Sequence, residues 1–111
     1  VTIETQGGVG TYMFLVDTGA DCAVAPRRLA QQVGLYWPSL PPAQVVGVGQ
    51  GGVLPRVGPL TFQVGLWTST GRCMFVDAPR APFILGRADF LDRLILTIDP
   101  AQRWIVLTEC A

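Results

Sequence analysis

The sequence has 111 residues, eight Arg against eight Asp plus Glu, and no His, Lys or Asn, so its formal net charge is zero. Lack of histidine removes Ser-His and Cys-His catalysis and nearly every zinc site, lack of lysine removes Schiff-base and P-loop chemistry, and balanced charge leaves no basic footprint for nucleic acid or an anionic membrane. Half the residues are hydrophobic and 14% are charged, which fits one ordered domain over residues 1–111 with a single modest core; any catalyst in it is a carboxylate or a cysteine.

In chain order, residues 1–5 alternate apolar and polar, Gln6-Gly7-Gly8 reads as a turn, and 12–16 is the expected partner strand of a hairpin. Pro26 ahead of 27–33, with Gly34 beyond, predicts a short helix. Residues 36–42 are Pro-rich and read as a loop. Two β-prone runs, 44–48 and 53–57, flank Gly49-Gln50-Gly51-Gly52 and predict a hairpin with a side-chain-poor tip. Strands are expected at 60–67 and 72–76 across a turn at 68–71, then a loop at 79–82 leading into Phe83-Ile84-Leu85. Phe90, Leu91 and Leu94 at helical spacing predict a second short helix over 88–93. A last hairpin joins 94–98 to 104–108. Thirteen Gly and nine Pro punctuate these runs, the pattern of an all-β domain.

Cys22, Cys73 and Cys110 form no CxxC pair and have no histidine to complete a metal set, so metal binding is not expected. The longest apolar runs fall far short of the roughly 20 residues that span a bilayer. No signal peptide is visible, and the first residue is Val rather than Met. A fragment, a chosen boundary and a processing product all fit that start, and flanking segments could carry targeting signals.

The residues that carry chemistry lie in Leu15-Val16-Asp17-Thr18-Gly19-Ala20-Asp21. Apolar residues ahead of Asp17 draw it inward, where a carboxylate usually has a task. Alternatively, Asp17 opens an Asx turn with Gly19 at a positive φ.

With the glycine-rich segment 45–53 and the run Phe83-Ile84-Leu85-Gly86-Arg87-Ala88-Asp89-Phe90-Leu91, this motif resembles the retroviral-type aspartic proteases, the retropepsins, and their bacterial and eukaryotic relatives. The three blocks occur in that family's order and cover most of the chain. The resemblance implies a small closed β-barrel-like fold with one or two short helices, homodimeric, acting as an aspartic endopeptidase on a polypeptide without a cofactor or metal. By resemblance, Asp17 is the catalytic aspartate, Thr18 braces the paired active-site loops, and Gly19 offers its backbone to substrate. Gly86 and Arg87 support the site, Arg87 by pairing with Asp21, the alternative being two solvated surface charges. Val46, Gly47, Val48, Gly49 and Gln50 belong to a flap over the peptide. Leu15, Ala20, Asp21, Cys22, Pro82 and Ile84 complete the substrate-binding set, although aliphatic residues there could also be core.

One Asp-Thr-Gly per chain cannot supply the two carboxylates that this mechanism shares, so the resemblance implies a twofold dimer. Trp104-Ile105-Val106-Leu107 is a candidate interface strand or a plain edge strand. The viral N-terminal interface strand has no counterpart here, and the stretch between Ala20 and the flap is longer, which places the chain nearer bacterial or cellular members. Release from a precursor by its own activity fits a start without Met. A different class of reading keeps the fold as a dimerisation or peptide-binding module with negligible catalysis. A cysteine enzyme built on Cys22 would lack a base.

Overall fold

The computed structural model describes residues 1–43 and 54–110, and the flap expected around 45–53 lies outside them. The first hairpin is tighter than its sequence suggests. β1 (Thr2–Thr5) pairs antiparallel with β2 (Gly8–Thr11), from Thr2↔Thr11 to Thr5↔Gly8. Gly8, at φ 116°, takes the left-handed backbone that closes this turn early. Residues 12–16 are therefore not the hairpin partner. β3 (Leu15–Val16) instead lies parallel to β7 (Ile84–Leu85).

Pro26, in an extended conformation, precedes α1 (Arg27–Gln32), and Gly34 at φ 90° follows it, as the sequence predicts. The helix buries Leu29 and Ala30. The Pro-rich loop holds a 3-10 turn at Trp37–Ser39 that buries Trp37 close to two guanidiniums. Arg27 lies 4.7 Å and Arg56 5.4 Å from the indole centroid.

β5 (Arg56–Val64) and β6 (Trp67–Val76) form a long hairpin turned at Gly65-Leu66, Val64 pairing with Trp67. The expected turn at 68–71 is therefore strand. Gly65 at φ 58° meets the demand of a two-residue hairpin turn, and Thr61 and Thr70 pair their hydroxyls at 2.6 Å across the ladder. β4 (Ala23–Pro26) runs parallel to β6 and antiparallel to β7.

The resulting seven-stranded sheet has the order β2-β1-β5-β6-β4-β7-β3. It curls, so that Ile3 of its second strand, Phe62 and Phe75 of its centre and Leu85 of its far side share one buried cluster with Leu29 and Phe90. The fold is all-β, as expected. The second helix predicted over 88–93 contracts to a 3-10 turn at Leu91–Arg93. Asp89 at φ 67° breaks it, held there by the bonds its carboxylate accepts from Arg72. β8 (Leu94–Asp99) and β9 (Trp104–Glu109) form a separate two-stranded sheet, close to the expected bounds. Among the described residues no helix is long and apolar enough to cross a membrane.

Candidate active site

The half-buried Asp17 stands at the end of β3, the last strand of the sheet. The strand is short because its own pairing is short. Leu15 N–H donates to Phe83 O at 2.8 Å, and Asp17 N–H donates to Leu85 O at 3.1 Å. The chain then turns through Thr18 and Gly19, both exposed. Gly19 N–H donates to Asp17 Oδ1 at 2.9 Å, and Ala20 N–H to Asp17 O at 3.2 Å. The Asx turn is thus present, but Gly19 is not at a positive φ. A Cβ at Gly19 would sit 3.2 Å from Asp17 Oδ1, a tight contact that only a shift of the carboxylate would relieve.

The other side of the loop is held by residues 86–88. Arg87 N–H donates to Ala20 O at 3.0 Å and Ala88 N–H to Asp21 O at 2.9 Å. An ion pair joins the Arg87 guanidinium to the Asp21 carboxylate, whose side chain is 89% exposed. The two charges expected to pair or to stand solvated are paired. Surface exposure keeps that bridge worth little in stability, so its contribution is orientation rather than energy. Gly86 is buried where the two segments cross, and a Cβ on it would fall 2.8 Å from Cys22 Cα and nearer still to the Cys22 carbonyl. Only a glycine lets the backbones approach so closely.

Pairing registers also align side chains across the sheet. Leu15 pairs with Ile84, Ile84 with Val24, Val24 with Met74, and Met74 with Val57. Directly paired residues point to one face. These five therefore form a single apolar row over five strands, and each is half-buried or exposed, Leu15 by 62%. The opposite face carries Ala23, Ala25, Cys73, Phe75 and Leu85, all buried in the core. Leu15 and Ile84 are thus brought together beside Asp17 and are not core. Pro82 is exposed on the approach to β7. Val24, Met74 and Val57 are absent from the sequence-derived set. No spacing in the sequence marks them, because only the strand registers bring them into line with Leu15.

Cys22 is half-buried next to Asp21, at the start of β4. Burial, and then the Asp21 charge, push its thiol above the ordinary range, opposed by the Arg72 guanidinium. Cys73 lies in the core, and burial pushes its thiol far up. Neither thiol is a nucleophile poised for catalysis. Val46, Gly47, Val48, Gly49 and Gln50, expected from the sequence to form a flap, lie outside the described residues. No group of three or more His, Cys, Asp or Glu side chains among the described residues is arranged to hold a metal ion.

The described aspartates other than Asp17 are largely engaged. Asp77 pairs with Arg27 at 3.0 Å, Asp89 with Arg72 at 3.1 Å, and Asp99 accepts bonds from Ala101 and Gln102 N–H. Across residues 1–88 the chain matches the family described as aspartyl protease. Comparison with curated proteins and with solved structures returns no match.

Proposed function

Because the chain belongs to the aspartyl protease family, of retropepsin-like type, we propose that it hydrolyses peptide bonds with Asp17 as its catalytic carboxylate, and that two copies combine into one site. The observation that carries this reading is the clasp on the acid loop. Residues 83–88 take four backbone bonds to residues 15–21, and Gly86 admits the crossing. An acid held so firmly at an exposed turn is arranged for work at the surface.

In the proposed reaction two Asp17 carboxylates, one from each copy, share one proton, because like charges so close cannot both ionise. A water between them is the nucleophile. Its oxygen bonds to the scissile carbonyl carbon while the ionised carboxylate takes its proton and the protonated one donates to the carbonyl oxygen. Collapse of the tetrahedral gem-diol breaks the C–N bond: the carboxyl group that took the water proton passes a proton to the leaving nitrogen, and the other carboxylate takes a proton back from a gem-diol hydroxyl as the carbonyl re-forms. The pair titrates as a unit. Thr18 braces the paired loops, Gly19 presents its backbone to the peptide, and Leu15, Ala20, Asp21, Cys22, Pro82 and Ile84 contact it, with residues 46–50 closing over it.

The β8–β9 hairpin supports pairing of copies. Ile98 faces Ile105 and Asp99 faces Trp104 at its outer end, with Ile98 62% and Trp104 54% exposed. Apolar side chains concentrated on one exposed hairpin mark an interaction surface.

The test is cleavage of a peptide library by wild type and Asp17→Asn from acidic to neutral pH, with sedimentation on both. Wild type is expected to cleave and the variant to lose about 10³-fold or more. Equal cleavage overturns the role of Asp17. A folded dimer that cleaves nothing favours a peptide-binding module, and a monomer at every concentration overturns the shared site.

A further inference from the structure

A cavity of about 340 Å³ opens beyond the apolar row, between the start of β4 and the outer faces of β5 and β6. Its size falls in the range of roughly 300–1,000 Å³ typical of binding pockets, and it is large enough for one side chain of an extended peptide. Cys22, Val57, Met74 and Ala43 give it an apolar lining, and Asp21 and Arg72 bring the only charges among the described residues that line it. Val57 and Met74 are the far end of the row that begins at Leu15 beside Asp17. The cavity is therefore reached by following that row outward from the acid.

The two charges are not equivalent. Asp21 is committed to Arg87. Arg72 lies two residues before Met74 on the same face of β6 and is 71% exposed. Its Nε donates to Asp89 Oδ2 at 3.1 Å, which spends one edge of the guanidinium and fixes the plane. Asp89 is itself shared with Arg93, 3.6 Å from its other oxygen. Three guanidiniums, Arg72, Arg87 and Arg93, thus face two carboxylates, Asp21 and Asp89, leaving one positive charge uncompensated. The terminal nitrogens of Arg72 make no hydrogen bond among the described residues. A carboxylate is the group that a preorganised guanidinium recognises best.

We propose that Arg72 is a specificity-determining residue that selects an acidic side chain, glutamate above all, in the substrate residue entering this cavity. The methylene stem of glutamate lies against Met74, Val57 and Cys22, and its carboxylate takes the free edge of Arg72. The proposal rests on the reading of the chain as a peptidase, and names its substrate class.

Binding separates the two ideas. Paired peptides that differ only in Glu, Gln or Lys at each position around the scissile bond are titrated against Asp17→Asn, chosen because its cleavage is expected to be slow, and are offered to wild type for cleavage. At the position that reaches the cavity, Glu is expected to bind about tenfold more tightly than Gln, as one charge-assisted hydrogen bond at a partly exposed site allows, with Lys weaker still. Adding Arg72→Met, which keeps the stem, should bring Glu and Gln to parity, whereas Arg72→Lys should retain part of the preference. Equal binding of Glu and Gln everywhere, a preference that survives Arg72→Met, or no binding of any peptide overturns the proposal. Glutamate-selective binding without cleavage by wild type leaves the specificity standing and refutes the peptidase reading instead.

Discussion

Replacing Gly86 with alanine puts a methyl group where Cys22 already stands. The added Cβ would lie 2.8 Å from Cys22 Cα and closer to its carbonyl, whereas carbon atoms in contact prefer about 3.5–4.0 Å. The two segments must part by roughly 1 Å. That movement stretches the bonds from Arg87 N–H to Ala20 O and from Ala88 N–H to Asp21 O, now 3.0 and 2.9 Å, beyond useful hydrogen-bond length. Two lost bonds at about 0.5–1.5 kcal/mol each add to overpacking at about 1–3 kcal/mol. A loss of about 2–6 kcal/mol lowers Tm by roughly 10–30 °C for a chain this long. Gly86 is not at a positive φ, so the penalty is steric. Thermal melts at one fixed protein concentration measure it, with Gly7→Ala as the control. A Cβ at Gly7 meets nothing nearer than Thr5 Oγ1 at 3.9 Å, so that variant should stay within about 0.5 kcal/mol of wild type. A Gly86→Ala protein melting within about 3 °C of wild type would refute the crossing geometry.

Ile105→Asp places a charge on the exposed hairpin. If that hairpin joins two copies, the dimer should weaken about a hundredfold in sedimentation, since each copy loses about half of an isoleucine burial worth about 1.5–3 kcal/mol; an unchanged dissociation constant excludes this surface. The Arg72 backbone N–H, and then its side chain, hold Asp89 below the usual carboxylate range. A depressed folded pKa means stability present above the unfolded pKa and lost as pH falls through the folded one. Wild type should therefore exceed Asp89→Asn in denaturant midpoint near neutrality, with the gap closing only below the ordinary aspartate pKa; a gap independent of pH would contradict the assignment. Alkylation at neutral pH, followed by mass spectrometry, should label the exposed Cys110 first, Cys22 slowly and Cys73 only on unfolding. Early labelling of Cys73 would place it outside the core.

The acid loop was legible because its logic is local. Asp17, Gly19 and Gly86 sit in short runs where residue type and spacing carry the constraint, and the structure supplies a steric reason for Gly86. Hairpin registers were less legible. Thr68-Ser69-Thr70-Gly71 has turn composition, yet Gly65 takes the positive φ and the four residues become strand; two turn signals a few residues apart compete, and pairing decides between them. Residues 12–16 fall outside the first hairpin because its ladder, closed at Thr5↔Gly8, is complete by Thr11. The helix at 88–93 failed through a tertiary contact, since the Asp89 backbone follows its bonds to Arg72, 17 residues earlier. Val24, Met74 and Val57 could not be found at all from spacing, because their alignment with Leu15 depends on four separate registers.

Asp17 stands at the margin of the sheet, where the strand order ends at β3, and the nearest acid in sequence, Asp21, is held by Arg87. Asp17 has no arginine partner among the described residues whereas Asp21 has one, which is the physical reason for proposing a second copy rather than Asp21 as the second acid. Twofold pairing would also duplicate the apolar row and Arg72, one set on each side of the scissile bond. A peptide has direction and the site would not. Glutamate preference should then appear at two substrate positions, one on either side of the bond, with unequal strength, because one side chain enters its cavity along the chain direction and the other against it. A single preferred position with the opposite side indifferent would mean that the two copies do not present equivalent cavities to the same peptide.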